Sequence, residues 1–118
     1  MPEKCRSLAG IVAPTAAGQL AAFRKAVDDA LPGQISDIVL FGSRARRQSR
    51  RNSDYDVAVV VNDDVYRGTM ERIVADTALP FVRAGYHIRP VIMLASLFRN
   101  PIGHPLTANV VRDGISIA

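Results

Sequence analysis

Asp54 and Asp56 stand two positions apart at the head of a β-branched apolar run, Val57-Ala58-Val59-Val60-Val61. On an extended strand their two side chains leave the same face. Two carboxylates held side by side repel each other. A divalent cation removes that repulsion and makes the pair useful. Mg²⁺, or Mn²⁺ in its place, takes a few carboxylate oxygens and completes its shell with water and phosphate oxygens. Tyr55, between the two acids, points the other way, into packing.

Upstream, Ile38-Val39-Leu40-Phe41 ends in Gly42-Ser43, and ten residues separate Ser43 from Asp54. A strand that ends in Gly-Ser and opens a helical turn presents free backbone N–H groups, which bind phosphate. Glycine lets the phosphate come close to the backbone. The Ser43 hydroxyl adds a further bond, and Arg44 and Arg46 can neutralise a triphosphate tail. If the two strands are neighbours, cradle and carboxylates together hold a Mg²⁺–nucleoside triphosphate. Metal ions there can activate an attacking oxygen and stabilise pyrophosphate as it leaves, which is nucleotidyl transfer at the α-phosphate. A lone Asp-x-Asp is more often the solvated start of a strand. The Gly-Ser turn at a fixed distance before it favours the site.

These groups need elements to position them. Thr15 is read as the cap of a helix running to about Ala30, with Leu20, Phe23, Ala26, Val27 and Leu31 at helical spacing. Pro32-Gly33 stops it. Ile35 to Phe41 reads as a buried strand, and Arg44 to Arg47 as one or two helical turns capped by Ser43. Asp54 to Val61 is the clearest strand. Asn62-Asp63-Asp64 closes it and starts a helix carrying Met70, Ile73, Val74, Thr77, Ala78 and Phe81, which Pro80 must bend or end and Gly85 stops. Tyr86 to Leu94 is a third strand, and Pro90 argues for an edge position. A short helix near Leu106 to Arg112 and a last strand, Ile115 to Ile117, complete the order. Strands separated by helical connections predict an α/β (α+β) sandwich with a small mixed sheet flanked by helices.

The composition fits one domain over residues 1–118, with 1–14 expected to be loosely held. Hydrophobic residues make up 48% of the 118, enough for a core, which argues against disorder. The single Cys5 forms no intrachain disulfide and no cysteine-rich zinc site, and reads as an inert thiol in a reducing, cytoplasmic setting. No apolar run approaches the roughly 20 residues of a membrane helix. The net charge is +4, and five of the arginines fall between Arg44 and Arg51. That bias raises nucleic acid as a partner. With 6% aromatic residues and no Trp, base-stacking platforms are scarce.

Gly42-Ser43, ten residues, then Asp54-x-Asp56 resembles the signature of the nucleotidyltransferase superfamily with the DNA polymerase β fold. Phe41-Gly42-Ser43-Arg44-Ala45-Arg46 with Ser53-Asp54-Tyr55-Asp56 is similar to the minimal nucleotidyltransferases of bacteria and archaea. The resemblance covers roughly Ile35 to Ile117. It implies ATP or another nucleoside triphosphate with Mg²⁺, the triphosphate on Gly42 and Ser43, and metal on Asp54 and Asp56 as the catalytic pair. It also implies a helical partner of the HEPN class, toward which such proteins act as antitoxins, some by transferring AMP to a tyrosine. A domain this small is expected to find its acceptor on another chain or a second copy.

The sequence departs from the family at a third acid, which relatives carry on a later strand. In Tyr86 to Ile92 the inward positions near the motif are His87 and Arg89, and neither is acidic. An arginine there opposes metal and favours phosphate; His87 is a candidate base. Glu71 and Asp76 sit on the expected helix with no route to the pair. Arg47 replaces a common glycine, and Arg50 and Arg51 add charge that the triphosphate does not explain. The expected function is therefore Mg²⁺-dependent nucleotidyl transfer to a partner protein. A non-catalytic nucleotide- or partner-binding member is the alternative, and a nucleic-acid module on the Arg44–Arg51 face a third reading.

Overall fold

The structure, a computed structural model, describes residues 8, 11–42, 44–45 and 54–117. Four strands form one sheet in the order β3-β2-β1-β4: β1 is Ile35–Phe41, β2 Tyr55–Val61, β3 Ile88–Leu94 and β4 Ile115–Ser116. The sheet is mixed, as expected. β1 runs antiparallel to β2 and β4, and β2 runs parallel to β3. A parallel pair needs a crossover. The helix α2, Arg67–Arg83, supplies it.

Both faces of the sheet are covered, which is why Ile38–Phe41 of β1 and Val57–Val61 of β2 read as continuous apolar runs rather than alternating ones. The larger core lies under α1 (Pro14–Ala30) and α2. There Leu20, Phe23 and Val27 of α1 and Met70, Val74 and Ala78 of α2 meet Ile38, Leu40, Val57, Val59 and Val61. Phe23 and Phe81 join the two helices edge to face, ring centres 5.7 Å apart. On the opposite face Val110 of α4 (Pro105–Asp113) packs with Val39, Phe41, Ala58 and Met93. None of the helices among the described residues is long and apolar enough to cross a membrane.

Several local expectations need correction. α1 begins at Pro14, with Ala13 as N-cap, so Thr15 is not the cap. Proline's fixed φ and missing N–H suit the first helical position, and that preference wins. α2 begins at Arg67, after the Asn62–Asp64 turn, because Asn62 and Asp63 have other partners. Asn62 donates its N–H to the Gln34 carbonyl and its side-chain amide to that of Gly33. Asp63 accepts the N–H of Ser96 at 3.0 Å and so caps α3 (Ala95–Arg99), a helix the sequence reading lacks. Pro80 does not end α2; it sits in the last turns and the helix runs on to Arg83. Gly85, at φ +98°, stops the chain there. β3 is an edge strand, as Pro90 suggests. Its outward side is blunted by Arg67, which donates to the Ile92 carbonyl at 3.2 Å.

Candidate functional site

The site forms where the C-terminal end of β1 meets the N-terminal ends of β2 and β3. Antiparallel register sets Phe41 opposite Asp56, and parallel register sets Asp56 beside Arg89. Asp54 lies just before β2. Tyr55 packs into the larger core, while Ala58, in step with Asp56, packs into the smaller one. Asp54 and Asp56 therefore leave the sheet on the α4 side, as strand alternation requires.

Gly42 brings the turn after β1 against this pair. Its φ is +78°, and a Cβ added there would stand 2.5 Å from Asp56 Oδ2. Only glycine fits both the left-handed backbone and the close approach. The expected adjacency of Gly42 and the carboxylates is thus present. Ser43, Arg46, Arg47, Arg50, Arg51 and Ser53 lie outside the described residues.

Arg44 lies elsewhere than expected. Its guanidinium carbon is 4.2 Å above the Tyr55 ring, on the sheet face opposite the carboxylates. A cation over an aromatic face is a favourable contact, and it competes with any anion for this side chain. The helical turns expected from Arg44 are a plain turn at Arg44 and Ala45 among the described residues.

Arg89 is the group the site adds. It donates from Nε to Asp56 Oδ1 at 2.9 Å, with Nη2 also 2.9 Å from that oxygen, and its Nη1 stands 3.7 Å from Asp54 Oδ2. The Arg89 side chain is 66% exposed, Asp54 40% and Asp56 17%. Such exposed pairs contribute about 0–1 kcal/mol each, so the contact orients the carboxylates more than it stabilises the fold. His87 is exposed, and its backbone carbonyl accepts the Tyr55 N–H at 2.9 Å. Glu71 pairs with Arg67 on α2, away from the pair.

The two carboxylates on one face are oxygen donors that suit a hard divalent cation, while the Arg89 guanidinium seated against both opposes it. Among the described residues no third His, Cys, Asp or Glu joins them. Asp54 and Asp56 are the residues that would hold the ion, and Gly42, with no side chain, lets the Asp56 carboxylate lie against the turn.

Comparison with known proteins places this arrangement in a family. The family model for the nucleotidyltransferase domain matches residues 20–105, which include β1, Gly42, Asp54, Asp56 and Arg89. The fold is similar to a crystal structure of a mutant of the toxin-antitoxin MntA-HpeT, with a TM-score of 0.60 and 22% identity over 84% of this chain and 72% of that one. In that mutant two aspartates two positions apart are changed to glutamates. It is also similar to a structure of a toxin-antitoxin with AMP-PNP, at a TM-score of 0.59 and 23% identity, again over 84% and 72% of the two chains. No curated protein matches. With the family model spanning most of the sheet and the whole site, the chain belongs to the nucleotidyltransferase domain family.

Proposed function

We propose that this chain is a minimal nucleotidyltransferase that uses Mg²⁺ and ATP, or another nucleoside triphosphate, to transfer a nucleotidyl group to a partner protein in a toxin–antitoxin pair. The observation that carries the reading is the contact of Gly42 with Asp56. It brings the turn after β1 against Asp56 in a chain of this family, which supports reading that turn as a phosphate cradle and the carboxylates as metal ligands. In this reading Asp54 and Asp56 hold the cation, and Gly42 admits the triphosphate to the backbone. Ser43, next to Gly42 in sequence, and Arg46, four positions after it, are assigned to the phosphates, and Arg44 supports the turn from the Tyr55 ring. The metal supplies charge neutralisation at the α-phosphate and at the departing pyrophosphate. An acceptor hydroxyl oxygen bonds to the α-phosphorus, the bond to the β-phosphate bridging oxygen breaks, pyrophosphate leaves, and the acceptor's proton is released.

The partner assignment is supported by the two similar structures, both of toxin–antitoxin proteins. A small helical protein of the HEPN class, encoded next to this chain, is the acceptor to try first; self-modification through a homodimer is the other. The test incubates α-labelled ATP and Mg²⁺ with this chain and that neighbour. Label is expected on the neighbour, and the double variant Asp54→Asn with Asp56→Asn should lower transfer by about 100-fold or more. Equal transfer by the double variant would falsify the reading. Arg89 favours a second one, a non-catalytic member that binds nucleotide or partner: Mg-ATP binding by calorimetry, with no label transferred beside the partner, selects it.

A further inference from the structure

The dicarboxylate already holds a cation. Arg89 engages one oxygen of each acid, Asp56 Oδ1 and Asp54 Oδ2. That leaves Asp54 Oδ1 and Asp56 Oδ2, and the latter faces Gly42. The placement is fixed by the sheet rather than by chance rotation. The ladder runs unbroken from Tyr55 against Ile88 to Val61 against Leu94, which sets Arg89 beside Asp56. A one-residue slip would turn Val91 and Met93 away from the smaller core, so the register is strongly held.

We propose that Arg89 is the resident counter-cation of this site. It limits Asp54 and Asp56 to a single divalent ion, taken through the two oxygens it leaves open, and it weakens the binding of that ion. The inference rests on the transferase reading above and deepens it. The carboxylate pair alone carries two negative charges, and the guanidinium cancels one. An arriving divalent ion meets half the attraction and a positive neighbour a few ångströms away. Because Arg89 is two-thirds exposed, solvent screens its charge, and it lowers the ion's affinity while staying on its two oxygens instead of excluding the ion outright.

The experiment titrates Mn²⁺ into the full chain without nucleotide, reading bound ions by electron paramagnetic resonance and affinity by calorimetry. The wild type is expected to bind one ion. Arg89→Gln should bind about tenfold more tightly, the order expected for removing one nearby exposed charge. Arg89→Glu, which rebuilds a third carboxylate, should bind more tightly still. Asp56→Asn in the Arg89→Gln background should abolish the gain. Thermal melting checks that each variant is folded. Equal affinities for wild type and Arg89→Gln, or two ions on the wild type, overturn the inference and leave the transferase reading standing. No Mn²⁺ on any folded variant sinks both. Tightening at residue 89 without label transfer in the ATP assay sinks the transferase reading alone.

Discussion

At Gly42 an alanine would suffer twice. The left-handed backbone costs a non-glycine residue about 1–2 kcal/mol, and the new methyl would push on Asp56 Oδ2. Gly33 separates the two effects: its φ is +74°, but nothing lies within 4 Å of an added Cβ. Gly33→Ala should lower stability by about 1–2 kcal/mol and leave Mn²⁺ affinity alone. Gly42→Ala should show a similar loss of stability together with a drop of roughly tenfold in affinity, as the nearer carboxylate is displaced. Denaturant melts and Mn²⁺ titrations on the two variants check this; equal Mn²⁺ affinities would show that Gly42 serves the turn and not the site. Much at this scale was legible in the sequence. The two-residue spacing of Asp54 and Asp56 sets their common face by strand alternation alone. Arg89 was legible as a candidate position only. Its pairing with Asp56 depends on register across a helical crossover, which no local spacing encodes. The side of the sheet taken by the chain after Gly42 is also non-local, so spacing alone does not show the Arg44 guanidinium stacked on Tyr55.

At the scale of elements, the apolar pattern located the strands to within two residues, since Ile38–Phe41 of β1 and Val57–Val61 of β2 are buried on both faces and read as apolar runs. Polar turn residues were harder, because their partners lie far along the chain. Asp63 looks like the start of the helix that follows it, yet it caps α3, 32 residues later at Ala95. That contact gives a prediction. The Ser96 side chain, then the Ser96 N–H, and the charge of Arg99 hold the Asp63 carboxyl below its ordinary value of 3.8. A carboxyl lowered in the folded state contributes stability that is present above its unfolded value and is lost as pH falls through the lowered one. Asp63→Ala should therefore melt below the wild type near neutral pH. The gap should close as pH falls below 3.8. A difference in melting temperature that stays constant down to strong acid would mean that Asp63 does not act through its charge.

For the whole molecule the question is whether the site and the rest of the sheet share one stability. The other end of β1 carries a clamp that joins three elements. Arg24 of α1 donates to the Ile117 carbonyl at 2.6 Å and to Asp37 Oδ1 at 3.3 Å. Asp37 also accepts the Ser116 hydroxyl at 2.9 Å and the Ile38 N–H at 2.8 Å. Helix α1, β1 and the C-terminal strand are thus tied through one carboxylate. Arg24 and Asp37 are each about a quarter exposed, so removing the acid leaves a half-buried guanidinium with weaker company. Charged hydrogen bonds in such positions contribute about 1.5–3 kcal/mol before solvent takes its share, so Asp37→Ala should lower stability by about 1–2 kcal/mol. Gly42 follows Asp37 by five positions, about 16 Å at the rise of an extended chain. Sites so far apart with no shared partner behave additively. Asp37→Ala should therefore reduce the midpoint of a denaturant melt while its Mn²⁺ affinity stays at the wild-type value, and combining it with Arg89→Gln should keep the full gain in affinity. Should Mn²⁺ affinity fall along with stability, the register of β1 against β2 would be adjusting along its whole length, and the placement of Gly42 beside Asp56 would depend on a contact at the far end of the sheet.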